Sequence, residues 1–316
     1  MNNKRVADLF CGAGGMSLGF EKAGFDIVAA YDNWEKALDV YNKNFTHPAY
    51  YEDLSNFSKV QDLIDMDLDM IVGGPPCQDF STAGKRTETP ARADLTVKFA
   101  EIVTSVSPRY FVMENVARVE TSKAFNIAKT ILENHGYGLT SVVLDASKTG
   151  VPQKRKRFFM FGEMDGPNDG LLPYFEKNLS PESMTLRDYF GDSLGLDYYY
   201  RHPRNYNRRG VYSIDEPSPT VRGVNRPVPK GYKGHPADAC LLDEKIRPLT
   251  SIERSYIQTF PEGFFSNDIP KTHLEQMIGN AVPVNLARYV ALCIEEYLSK
   301  DEAEREIGQL SFFNHN

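Results

Sequence analysis

The segment "GGPPCQDFS", residues 73 to 81, follows the apolar run "DMIVGG" and places Cys77 beside a rigid Pro-Pro pair. A buried structural cysteine normally lies inside an apolar strand or helix, whereas a cysteine in a loop after a strand is open to a ligand. Position alone leaves both readings of Cys77 standing. A second stretch narrows the chemistry. "DLFCGAGGMSLGF", residues 8 to 20, is a glycine-rich turn between an apolar strand and a helix, of the kind that lets backbone approach a ligand closely. Its glycines fall at 12, 14, 15 and 19, which is not the Gly-x-Gly-x-x-Gly spacing of a dinucleotide site. Asp32 ends the next strand, "DIVAAYD", where an acid would hold the two hydroxyls of a ribose. Turn and acid together point to an adenosine-containing cofactor without a pyrophosphate, and S-adenosyl-L-methionine fits.

The elements that must position these groups alternate strand and helix through the first half. "RVADLF" leads to "MSLGFEKAG", "DIVAAYD" to "WEKALDVYNKN", and "DMIVGG" through the Cys77 loop to "LTVKFAEIVTSV". "RYFVMENV", a helix near "SKAFNIAKTILENHG", and the strands "LTSVVLDA" and "RFFMFGE" follow. This alternation predicts an α/β fold, a Rossmann-like mostly parallel sheet with helices on both faces. Ligands of such sheets bind at the carboxyl ends of the strands. Asp8, Asp32, Cys77 and Glu114 all fall there, along one rim.

From about residue 165 the helical periodicity fades and Gly, Pro, Asn and Tyr become frequent, until "TSIERSYIQTF". Residues 1–164 therefore read as a catalytic domain, and 165–275 as a smaller irregular strand-and-loop domain. The helix "VNLARYVALCIEEYL", within about 276–300, is expected to pack back onto the first domain. The charged tail after it reads as exposed and functionally silent.

A chain of 316 residues with 41% hydrophobic content can bury a full core. Neither a signal peptide nor a membrane span is expected. The four cysteines form no Cys-x-x-Cys pair, which argues against a zinc site or a disulfide framework and for a reducing cytoplasm. The net charge of −7 seems to oppose nucleic acid, yet two segments break the acidic trend. "KTGVPQKRKR" carries Lys148, Lys154, Arg155, Lys156 and Arg157 with no acid, and residues 201 to 233 are rich in arginine. "PSPTVRGVNRPVP", stiffened by four prolines, offers Arg222, Asn225 and Arg226.

Taken together, the motifs resemble those of the DNA (cytosine-5)-methyltransferases. "DLFCGAGGMSLGF", "GGPPCQDFS", "MENV" at 113 to 116, "VPQKRKRFFMFG", "RPLTSIERSYIQTFPEGF" and "QMIGNAVPVNLARYV" follow the family's order, leaving out chiefly residues 165 to 245. The resemblance implies Cys77 as nucleophile, Glu114 as the acid at the base, and Arg155 and Arg157 as contacts at the flipped cytosine and its phosphates. It implies a cofactor pocket lined by Phe10, Gly12, Gly14, Asp32, Asp53, Pro75, Leu95, Asn280 and Val282. Gln78, Ser81 and Lys154 are expected at the DNA, with Arg222, Asn225 and Arg226 as base readers. "RADLTVKF" matches the family's fifth motif only loosely, and Asp32 stands where many members have Glu.

The implied partners are double-stranded DNA and, in a bacterial cell, a companion restriction endonuclease. A cytoplasmic monomer associated with the nucleoid through DNA, needing no metal, is the expectation. Two other readings compete: the same chemistry on tRNA, and a DNA-binding protein that keeps the fold without turnover. The Cys-Gln-Asp-Phe-Ser loop favours DNA over the tRNA branch, which usually shows Cys-Phe-Thr. An intact Cys77, Glu114 and glycine-rich turn disfavour the non-catalytic reading.

Overall fold

A computed structural model describes residues 4–76, 95–205 and 207–313, with backbone alone from 301 onward. Its first half runs β1 (Arg5–Leu9), α1 (Gly15–Glu21), β2 (Asp26–Asp32), α2 (Glu35–Asn44), β3 (Ala49–Tyr51), α3 (Val60–Asp65), β4 (Met70–Gly73), α4 (Leu95–Val106), β5 (Tyr110–Val116), α5 (Lys123–Asn134), β6 (Tyr137–Asp145), β7 (Gln153–Lys154) and β8 (Lys156–Met164). The second half holds α6 (Leu172–Asn178), α7 (Leu186–Phe190), β9 (Tyr198–Tyr200), β10 (Val211–Ser213), β11 (Ser218–Pro219), α8 (Ser251–Ile257), α9 (Lys271–Asn280) and α10 (Val284–Phe313).

Seven strands form one sheet in the order β3-β2-β1-β4-β5-β8-β6. Pairing is parallel from β3 through β5 and antiparallel where β8 meets β5 and β6. The expected mostly parallel α/β sheet is thus present, with an antiparallel insertion at one side. The connection from β6 to β8 is short and contains no crossover helix, so β8 can only return antiparallel.

Strand alternation divides the core into two layers. Val6, Met70, Val72, Val112 and Phe159 point to a face covered by Met16 and Phe20 of α1, Phe175 of α6, and Leu286, Val290 and Ile294 of α10. Ala7, Leu9, Ile71, Phe111 and Phe158 point to the other face, against Leu63 of α3, Phe99 and Val103 of α4, and Phe125 and Leu132 of α5. The range Lys271–Lys300, which spans α9 and the start of α10, contains an 18-residue stretch apolar enough for a membrane span, yet about two-thirds of that stretch is buried inside the fold, consistent with core helices.

Leu171 and Phe175 belong to the sheet's core, so chain beyond residue 164 still builds the first layer. A third cluster joins Leu38 and Tyr41 of α2 to Tyr199, Tyr212, Ile257, Phe260, Leu274 and Met277. α8 starts where the periodicity resumes, under a Thr250/Glu253 capping box.

Candidate active site

β1 and β4 are neighbours, and the chain leaves them toward opposite edges of the sheet, which makes the crevice past their carboxyl ends the natural ligand site. A cleft of about 660 Å³ lies there. Phe10, Gly12, Asp32, Asp53, Pro75, Leu95, Asn280 and Val282 line it, together with Glu114 and Arg157. Gly14 stands behind the lining instead. Its φ of 93° and the closeness of the Phe45 ring to any added Cβ make glycine necessary for packing this turn.

The turn after β1 is strained at the cleft. Phe10 adopts φ 63°, a left-handed conformation uncommon for a bulky residue and often found at ligand sites. Asp32 fixes the turn: its Oδ2 accepts from the Gly12 N–H at 2.8 Å and its Oδ1 from the Trp34 N–H at 2.8 Å. Burial pushes the Asp32 carboxyl up, against the pull of those donors. Each oxygen keeps a further lone pair for a ligand. Asp53 caps a short 3-10 turn by accepting from Ser55 N–H.

Asp8 lies deeper, 1% exposed. Ser17 donates to its Oδ2 at 2.5 Å, and Tyr41 donates to Ser17 at 2.7 Å. Among the described residues no donor reaches Oδ1, although Asp8 lines the cleft. Burial raises this carboxyl to about 7, with the Ser17 bond opposing and the nearby Asp32 adding to the rise. A buried acceptor without a partner, on a residue that lines the cleft, calls for a donor on the ligand.

Across the cleft, Glu114 on β5 is 8% exposed and pairs through Oε1 with Arg157 Nε at 2.9 Å. The register of β5 against β8 sets Val116 opposite Arg157, two residues along from Glu114. Burial raises the Glu114 carboxyl, while Arg157 and then Arg155 pull it down. Asn115 donates to the Pro75 carbonyl at 2.9 Å and ties the start of the Cys77 loop to β5. Cys77, Gln78 and Ser81 lie outside the described residues.

A profile of C-5 cytosine-specific DNA methylases matches residues 4–296. The chain belongs to that family. This DNA (cytosine-5)-methyltransferase is 55% identical over 306 residues to "Type II methyltransferase M.HindV" of Haemophilus influenzae, covering 96% of this chain and 100% of that one. It is 51% identical over 310 residues to "Type II methyltransferase M.HgiDI" of Herpetosiphon aurantiacus, covering 98% and 100%. Its fold resembles the S. pombe Dnmt2 methyltransferase, with a TM-score of 0.69 at 21% identity, covering 93% of this chain and 99% of that one.

Not every expected site residue of the methylase joins the cleft. Arg155 is 1% exposed, and its guanidinium donates to the carbonyls of Val221, Gly279 and Ala281. Its expected place at the base and phosphates is therefore not where the structure puts its donors. Lys154 is exposed. Arg222 is half-buried and donates to the His202 carbonyl, and Asn225 gives its amide N–H to the Leu249 carbonyl at 2.7 Å. Arg226 is exposed. The cleft also recruits residues that sequence reasoning did not single out: Trp34, Asn115, His273 and Gln276. Trp34 lies two positions after the Asp32 acid, a signal available in the sequence. His273 and Gln276 come from α9, and only the fold shows that this helix forms a wall.

Proposed function

We propose that this methyltransferase takes its methyl group from S-adenosylmethionine and places it on carbon 5 of a cytosine swung out of duplex DNA. The observation that carries the reading is the sharing of one cleft by two halves of the chemistry. Asp32 and Asp8, whose Oδ1 is without a partner, line one part, and the Glu114–Arg157 pair lines the other. These residues suit the cofactor. Asp32 offers acceptors for two ribose hydroxyls, Asp53 an acceptor for an adenine amine, and Asp8 an acceptor for an ammonium. When bound, the cofactor supplies an electrophilic methyl on a sulfonium.

Carbon 5 of cytosine is too poor a nucleophile to take that methyl unaided. The Cys77 thiolate adds to carbon 6, forming a C–S bond and turning the ring into an enamine whose electron density lies at carbon 5. Glu114, its carboxyl raised by burial, holds a proton for ring N3 and so balances the charge brought by the thiolate. Arg157 orients Glu114 and adds positive charge beside the base. Once carbon 5 is methylated, loss of its proton and departure of the thiolate restore the aromatic ring. A base stacked in a duplex cannot reach this cleft, so it must be flipped out at a cost of roughly a few kcal/mol.

The exposed Lys154 and Arg226 support a DNA path along this side of the molecule, with the chain after α6, to about residue 275, serving as the recognition domain and a type II restriction-modification pair as the cellular setting. DNA containing 5-fluorocytosine tests the mechanism. The protein should form a covalent adduct that Cys77→Ser does not, while Cys77→Ser still binds S-adenosylhomocysteine. An adduct on Cys77→Ser would overturn the role of Cys77.

A further inference from the structure

Three fully buried polar side chains stand behind the cleft without lining it: Gln153 and Gln258, both 0% exposed, and Arg155. Their hydrogen bonds form one knot. Gln153 Nε2 donates to Gln258 Oε1 at 2.6 Å, and Gln258 Nε2 donates to the carbonyls of Ile278 at 2.6 Å and Ala281 at 3.1 Å. Arg155 Nη2 donates to the carbonyls of Gly279 at 2.9 Å and Ala281 at 3.1 Å. The carbonyls of the 278–281 turn are thereby held from behind, while Asn280 and Val282 line the cleft.

Two of these side chains, Gln153 and Arg155, also grip a second segment. Val221 N–H donates to Gln153 Oε1 at 2.8 Å, and Arg155 Nη1 donates to the Val221 carbonyl at 3.0 Å. Residue 221 is therefore clamped on both its backbone polar groups, immediately before Arg222 and four and five positions before Asn225 and Arg226. β11 pairs with β7 next to the knot, and Thr220 donates to the Lys154 carbonyl at 2.8 Å. Gly279 meets the backbone of Gly223 so closely that any Cβ there would collide with it. A single guanidinium and two amides thus bind the 278–281 turn and the 218–223 segment to each other.

We propose that Gln153, Arg155 and Gln258 are positioning residues that couple cofactor binding to DNA reading, because they make the cofactor-facing turn and the segment leading into the exposed recognition loop move as one body. The inference rests on the cofactor reading given above. Buried hydrogen bonds resist independent movement of the segments they join, since separating them leaves carbonyls and N–H groups without partners; among the described residues Arg155 Nε meets no acceptor, and the grip comes from its two Nη atoms. Order imposed on 278–281 by a ligand in the cleft is transmitted to 218–223. By reciprocity, DNA gripping the 218–226 region strengthens cofactor binding by the same factor.

Hydrogen exchange on the full chain tests the coupling without any substitution. Saturating S-adenosylhomocysteine should slow exchange in 277–285, which contributes to the cleft, and also in 218–223, which does not. Protection of 277–285 with unchanged exchange in 218–223 would overturn the coupling and leave the cofactor reading intact. Absence of protection in both, with no binding heat, would overturn the cofactor reading and this inference with it.

Arg155→Lys provides the second arm. One ammonium cannot reproduce a planar guanidinium's bonds to three carbonyls, so the factor by which duplex DNA strengthens S-adenosylhomocysteine binding should fall about ten-fold, the size of a typical coupling between sites. Protection at 218–223 should be lost, and the methylation profile on a library of randomised duplexes should broaden. A purely structural arginine would lower the melting temperature while the folded fraction kept the wild-type factor and site preference, and that result would refute the assignment. If Arg155→Lys does not fold, Gln153→Met read by the same assays carries the test to the same two outcomes.

Discussion

Asp32 is the sharpest point at which to test the cofactor site, because its two oxygens have separate duties. Oδ2 takes the Gly12 N–H and Oδ1 the Trp34 N–H, each at 2.8 Å. Asp32→Ala removes both acceptors and, in the proposed complex, the acceptors for two ribose hydroxyls. Hydrogen bonds to a charged group contribute roughly 1.5–3 kcal/mol each, with water recovering part of that in a cleft open to solvent. A net loss of about 1.5–3 kcal/mol in cofactor affinity follows, or roughly ten- to a hundred-fold in Kd. Asp32→Asn should do no better. It keeps one carbonyl oxygen, so its amide N–H₂ must face either the Gly12 or the Trp34 N–H, two donors against each other. Both variants should also melt lower than wild type, as the turn after β1 loses its anchor. Calorimetric titration with S-adenosylhomocysteine and a thermal melt check this. An Asn variant that binds and melts like wild type would show that the carboxylate neither fixes the turn nor meets the ligand.

Three further outcomes are expected. Asp8 has its carboxyl raised from 3.8 to about 7 by burial, so the folded chain holds that proton more tightly than the unfolded chain; its contribution to stability is full below about pH 4 and is lost as pH rises through 7. Asp8→Asn should therefore lose less melting temperature than wild type between pH 5 and pH 8, and equal losses would refute the placement of Asp8. Arg222→Leu should lower the melting temperature, since the Arg222 side chain is bonded to the His202 carbonyl, whereas Arg226→Ala should change which sites are methylated on a randomised library; the reverse pattern would mean that Arg222 turns outward on DNA. Lys154→Gln should weaken binding to all duplexes alike and reduce the salt dependence by about one counterion, measured by binding titrations at several salt concentrations.

Much of this site was legible because strand ends are. An apolar run followed by a turn locates a carboxyl edge, and that pattern alone puts Asp8, Asp32 and Glu114 on the rim. The antiparallel β8 was less visible, although the short link from "LTSVVLDA" to "RFFMFGE" is the physical reason for it. The stretch 165–178 looks irregular because of its Gly, Pro and Asn, yet Leu171 and Phe175 insert into the sheet's core, a fact of packing that composition does not carry. Arg155 and Arg222 illustrate the limit more directly. Arginine in a basic run reads as a phosphate contact, but whether its five donors face solvent or buried carbonyls depends on chain brought in from residues 202, 221 and 279, distant in sequence.

The wall formed by α9 and the 279–282 turn has a consequence for the order of events during synthesis. Phe10, Gly12 and Asp32 emerge from the ribosome early, while His273, Gln276, Asn280 and Val282 of the same cleft emerge some 240 residues later. α10, which covers α1 and the sheet, comes later still. A growing chain therefore has the chemical groups long before it has an enclosed cleft, and the sheet face under α10 stays open until that helix arrives. A chain that stops short of α9 carries the rim of the cleft, Phe10, Gly12 and Asp32, without the wall that encloses it.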